Sequence, residues 1–188
     1  MAENHDRAMH ISPDALAKIA HWQPAQEGFG RNDAQTPARI QAIANHLRES
    51  PSGLGCDILE EDGLSNYFVL FAYVVADVPS FALERYVEGL LIYHSACAAV
   101  GVVGRSQHCV APGLSASSPL EIDDLLAPEH PAGRLEEITF AAIRSGGYKL
   151  LSAEEVGQPL PSGVAPDEYC RGAKPWDRVF HALFANTD

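Results

Sequence analysis

The spacing of apolar residues along the chain predicts a series of helices interrupted by one strand, helix, strand unit. Ser12-Pro13-Asp14 is a helix start, a serine cap followed by proline at the first helical position. The helix it opens runs to about Trp22, with Leu16, Ile19 and Ala20 on its inner face. Gln23 to Gln35 has no apolar rhythm and reads as a loop. Thr36-Pro37 repeats the start signal, and Ile40, Ile43, Ala44 and Leu47 form a stripe at helical spacing that ends before Pro51. Tyr67 to Ala76 is rich in aromatic and β-branched residues and apolar at both alternating positions, so it predicts a central strand buried on two sides and ended by Asp77 and Pro79.

From Ser80 to about Ala98 helical spacing returns. Leu83, Val87, Leu90, His94 and Cys97 fall on one side, and Glu84, Glu88 and Ser95 on the other. Ala99 to Val103 then predicts a second strand. Ser118-Pro119-Leu120-Glu121 is a capping-box pattern for a short helix to about Ala127. Arg134 to Ser145 reads as a helix stopped by Gly146-Gly147, Tyr148 to Leu151 as a short strand, and Ser152 to Glu155 as another capping box. Pro175 to Ala185 closes the series as a last helix with Trp176, Val179, Phe180, Leu183 and Phe184 apolar. The sum is a helix-rich α+β fold. A small sheet, including the buried central strand near residues 67–76, is packed by several amphipathic helices in a single globular domain over residues 1–188.

Composition adds limits. With 188 residues, 46% of them hydrophobic, the chain has material for one core. Met1 to His10 contains Glu3, Asp6 and Arg7 and lacks the apolar run of about 7–15 residues that marks a secretory signal, so a cytoplasmic protein is expected. The apolar stretches Tyr67 to Ala76 and Gly89 to Gly104 fall short of the roughly 18 uninterrupted residues that cross a bilayer. Cys56, Cys97, Cys109 and Cys170 are scattered, and reduced thiols are expected.

Charge changes the picture more. The net charge is −12, and between Glu49 and Gly133 twelve acids face only Arg85 and Arg105. Such a surface repels polyanions and attracts basic groups, which disfavours direct nucleic-acid binding. It predicts a docking face for a basic protein partner, built from Glu60, Glu61, Asp62, Glu84, Glu88, Asp123 and Asp124. A non-enzymatic inhibitor or toxin-neutralising protein suits that physics, while a plain solvated acidic surface is the duller meaning of the same pattern.

The alternative chemistry is a small enzyme or zinc-binding protein using His94, Cys97, His108 and Cys109, the one short span with metal-ligand residue types. A helix would place His94 and Cys97, three apart, on one face. The same residues allow a thiol activated by an imidazole. Against both stands the ordinary use of Cys as a small core residue. The acidic turn Asp57 to Gly63 does not fit a calcium loop, because with Gly63 sixth the first and twelfth positions are Ile58 and Val69. No phosphate-loop or serine-elbow pattern is complete. A third reading, a homo-oligomer using the C-terminal helix, predicts a solution mass above 20.2 kDa.

Overall fold

The computed structural model describes residues 11–30, 32–59, 65–78, 86–109, 116–166 and 175–185. Four strands follow one another in an antiparallel meander: β1 (Leu54–Leu59), β2 (Tyr67–Val74), β3 (Tyr86–Ser95) and β4 (Val100–Cys109). Two short strands share the outer edge of β4. β5 (Ala116–Ser117) pairs antiparallel with His108 and Cys109, and β6 (Lys149–Leu150) pairs parallel with Val100 and Gly101. Between them Gly104 bridges to Leu125, and the Leu126 amide donates to the Val103 carbonyl at 2.9 Å. The opposite edge, β1, is met by the Arg48 side chain, whose Nε donates to the Cys56 carbonyl at 2.7 Å. Both edges are thereby obstructed to strand addition.

Helices cover both faces of this sheet. On one face lie α1 (Pro13–Ala20), α4 (Ala153–Val156) and α5 (Val179–Leu183), whose Leu16, Ile19, Val156, Phe180 and Leu183 pack with Val69, Phe71, Leu91, Tyr93 and Val102. On the other lie α2 (Gln35–Arg48) and α3 (Arg134–Ser145), whose Ile40, Ile43, Leu47, Phe140 and Ile143 pack with Leu70, Ala72, Leu90, Ile92 and Val103. Each central strand therefore feeds alternate side chains to two separate apolar layers, the period-2 consequence of the pleat. None of the described helices is long and apolar enough to cross a membrane.

The expectation of a helix-rich fold around a small sheet is overturned. The sheet is the organising layer, and the decisive difference is β3, where Tyr86–Ser95 is a strand instead of part of a helix from Ser80 to Ala98. Val87, Leu91 and Tyr93 face one layer while Leu90 and Ile92 face the other. A strand buried on both sides is a nearly continuous apolar run, which satisfies helical spacing by accident. β1 was likewise not expected. Its Gly55 and Asp57 suggest a turn, yet they pair with Tyr73 and Phe71.

Other starts and stops follow local chemistry. Ser12 caps α1 by accepting the Ala15 amide at 3.2 Å. α2 begins before Pro37: the Asp33 carboxylate accepts the Gln35 amide at 2.8 Å, and Pro37 occupies a first-turn position where no intrahelical donor is required. The helix expected from Ser118 to Ala127 reduces to a 3₁₀ turn at Ile122–Asp124, in which the Asp124 carboxylate accepts the Glu121 amide at 3.0 Å. Bonding of Leu126 to β4 draws the chain out of helical geometry there. The last helix is similarly short, because Leu160 donates to the Asp177 carbonyl at 2.7 Å and holds the residues before α5 extended.

Candidate docking groove

The sheet separates the four residues of the zinc alternative. His94 is fully buried on the α2/α3 side, its ring against Tyr148 with centroids 4.4 Å apart. His108 lies on the other side, its ring 5.0 Å from Phe71. Val87, the cross-strand partner of His108, stands seven residues along β3 from His94, about 23 Å at a rise of about 3.3 Å per residue. Cys97 joins the layer opposite His94, and Cys109 sits at the far end of β4. The helix that was to align His94 with Cys97 is a strand there, so the four residues do not converge as zinc ligands or as a thiol–imidazole pair. Among the described residues no group of three or more His, Cys, Asp or Glu side chains is placed to hold a metal ion.

The acidic residues divide differently. Glu60, Glu61, Asp62 and Glu84 lie outside the described residues. Glu88 and Asp124 line one open groove of about 670 Å³, and Asp123 is exposed beside Asp124 without lining it. Glu84 and Glu88 were read as one helical turn apart, but Glu88 belongs to a strand and accepts a hydrogen bond from Gln107 Nε2 at 3.3 Å across the β3–β4 pair.

The groove forms where the distal halves of β3 and β4 emerge beside the N-terminus of α3. Glu88, Leu90, Arg105 and Gln107 supply its floor, Leu135 and Glu136 one wall, and Ser118, Pro119 and Asp124 the other, with Asp77 in the 3₁₀ turn that follows β2. Among the described residues the lining includes four acidic residues, Asp77, Glu88, Asp124 and Glu136, and one basic residue, Arg105. That cation is engaged: Arg105 Nη2 meets Glu136 Oε1 at 2.6 Å. The other oxygen of Glu136 accepts the Ala132 amide at 2.6 Å, just before the N-cap Gly133 of α3. Ser106 Oγ donates to the Ser118 carbonyl at 3.3 Å and ties the floor to the wall.

Asp77, Arg105 and Glu136 were not singled out from sequence. Glu136 carried a usable signal. It shares a helical face with the buried Thr139, Phe140 and Ile143, and a carboxylate on such a face calls for a cationic or hydrogen-bonding partner. Phe180 and Phe184, whose exposed edge would have made the C-terminal helix an interface, are buried in the core.

No protein-family model matches the chain, and no curated protein or solved structure is significantly similar to it.

Proposed function

We propose that this protein is a binding protein whose groove seats a basic segment of a partner protein. The observation that carries the reading is the charge of the described lining residues: Asp77, Glu88, Asp124 and Glu136 against Arg105, with Arg105 already tied to Glu136. Carboxylates converging on one concavity sum their potentials and favour cationic side chains, and they raise the rate of encounter with a basic surface. Leu90 on the floor and Leu135 and Pro119 on the walls add apolar surface against which the stems of Arg and Lys can lie. Covering a partner's basic surface in this way is how an inhibitor or toxin-neutralising protein would act.

The test is binding of a labelled arginine- and lysine-containing peptide by fluorescence anisotropy at rising salt. The double substitution Glu88→Lys with Asp124→Lys should weaken binding about tenfold or more, equivalent to about 1.4 kcal/mol or more. Glu49→Lys, an exposed reversal of the same sign away from the groove, should change it less than about twofold. Equal losses in the two proteins would reduce the groove to general surface charge, and the proposal would fail.

A further inference from the structure

We propose that Arg105 is a resident competitor in the groove, and that an arginine of the basic partner binds by displacing it from Glu136. This rests on the reading of the groove as a seat for a basic segment. The two ends of the ion pair differ sharply in their freedom. The Glu136 side chain is 7% exposed and its second oxygen is held by the Ala132 amide, whereas the Arg105 side chain is 65% exposed and makes no other hydrogen bond among the described residues. The anion is therefore fixed and the cation movable.

A buried carboxylate stripped of its cation is strongly unfavourable, so Arg105 does not leave Glu136 empty. A second cation arriving in the groove removes that obstacle, because Arg105 swings into water at little cost while Glu136 stays paired. The floor beside the pair is the buried Leu90, directly opposite Arg105 in the β3–β4 register, and the adjoining wall is Leu135. A guanidinium, planar and less strongly hydrated than an ammonium, tolerates such apolar neighbours, which favours arginine over lysine as the displacing group.

The experiment uses the full chain and two labelled peptides identical except for arginine or lysine at the basic positions. Removing the competitor with Arg105→Gln should tighten the arginine peptide about tenfold, while adding Glu136→Gln to that variant should abolish the gain. Lys18→Gln, which alters net charge equally on α1, should give less than a twofold gain. Should Arg105→Gln impair folding, the wild-type protein still answers by NMR: the Arg105 side-chain N–H signals, protected by the ion pair, should lose that protection as the arginine peptide saturates the groove. Wild-type binding with no gain in Arg105→Gln, or an Arg105 signal unmoved at saturation, overturns displacement and leaves the basic-segment reading standing. No salt-sensitive binding by any of the proteins overturns both.

Discussion

The imidazole of His94 packs edge-on against the phenol of Tyr148, ring centroids 4.4 Å apart, and neither ring nitrogen nor the phenol oxygen has a hydrogen-bond partner among the described residues. Burial alone drives the His94 pKa down to about 3. The unfolded chain takes up a proton near the ordinary value of about 6.5, and the folded chain does not until far lower. Stability contributed by the neutral imidazole is thus complete above about pH 6.5 and lost as pH falls toward 3, at about 1.4 kcal/mol per pH unit for one proton. Urea denaturation at pH 7 and pH 5 should show a lower midpoint at pH 5. His94→Leu should shrink that difference without erasing it, because half-buried His181 also has a lowered pKa, chiefly from burial.

Tyr148→Phe tests the same contact from the other side. Deleting a buried hydroxyl that lacks a partner removes an uncompensated desolvation cost, so the variant should be as stable as the parent or more stable by up to about 1 kcal/mol. A drop of several degrees in the thermal midpoint would show instead that an internal water satisfies the phenol, as such waters do for buried polar groups.

Reading the fold from sequence succeeded where one residue type carried an unambiguous local meaning. Ser12 with Pro13, the Ser152–Glu155 capping box and Gly146-Gly147 are of this kind, because caps and turn residues act over a few positions whatever the surroundings. β2 was readable because aromatic and β-branched residues occupied both faces. β3 was not, since its burial on both sides comes from helices contributed by distant parts of the chain. The groove was readable only in part for the same reason. Glu88 and Asp124 stood out as members of an acidic stretch, but their meeting with Asp77 and Glu136 depends on strand register and on the placement of α3.

The thiols offer a check on the layered core. Cys56, Cys97 and Cys109 are all buried, and burial pushes the Cys56 thiol up to about 12. A thiol far from ionising and shielded from solvent is a poor nucleophile. In native protein these three should resist a thiol reagent at pH 8 over a period in which guanidinium-unfolded protein reacts at all of them. Mass mapping of the labelled peptides gives the count at each site. Rapid native labelling of Cys56, next to the Arg48 side chain on the β1 edge, would mean that α2 lifts from the sheet.

Asn66 joins more of the chain than any local pattern suggested. Its side-chain Nδ2 donates to the Ala182 carbonyl at 3.0 Å and to the Ile19 carbonyl at 3.4 Å, its amide to the Ala185 carbonyl at 2.9 Å, and its own carbonyl accepts the Ala96 amide at 2.8 Å. The ends of α1 and α5 are thus pinned to the turn before β2. Asn66→Ala takes its donor from the Ala182 carbonyl, while the Ile19 carbonyl keeps the Trp22 amide at 2.8 Å, and should cost roughly 1–3 kcal/mol, read as a lower urea midpoint with unchanged slope. Asn66→Asp should cost more at pH 7, because the carboxylate presents only acceptors to those carbonyls and brings a charge into a site that is 1% exposed. Protonation restores one donor, and burial raises the pKa of such a carboxyl, so the gap between the Asp and Ala variants should narrow as pH falls from 7 to 5. If the Asp variant instead matches the parent at pH 7, the side chain does not bridge the two helices, and their attachment rests on apolar packing alone.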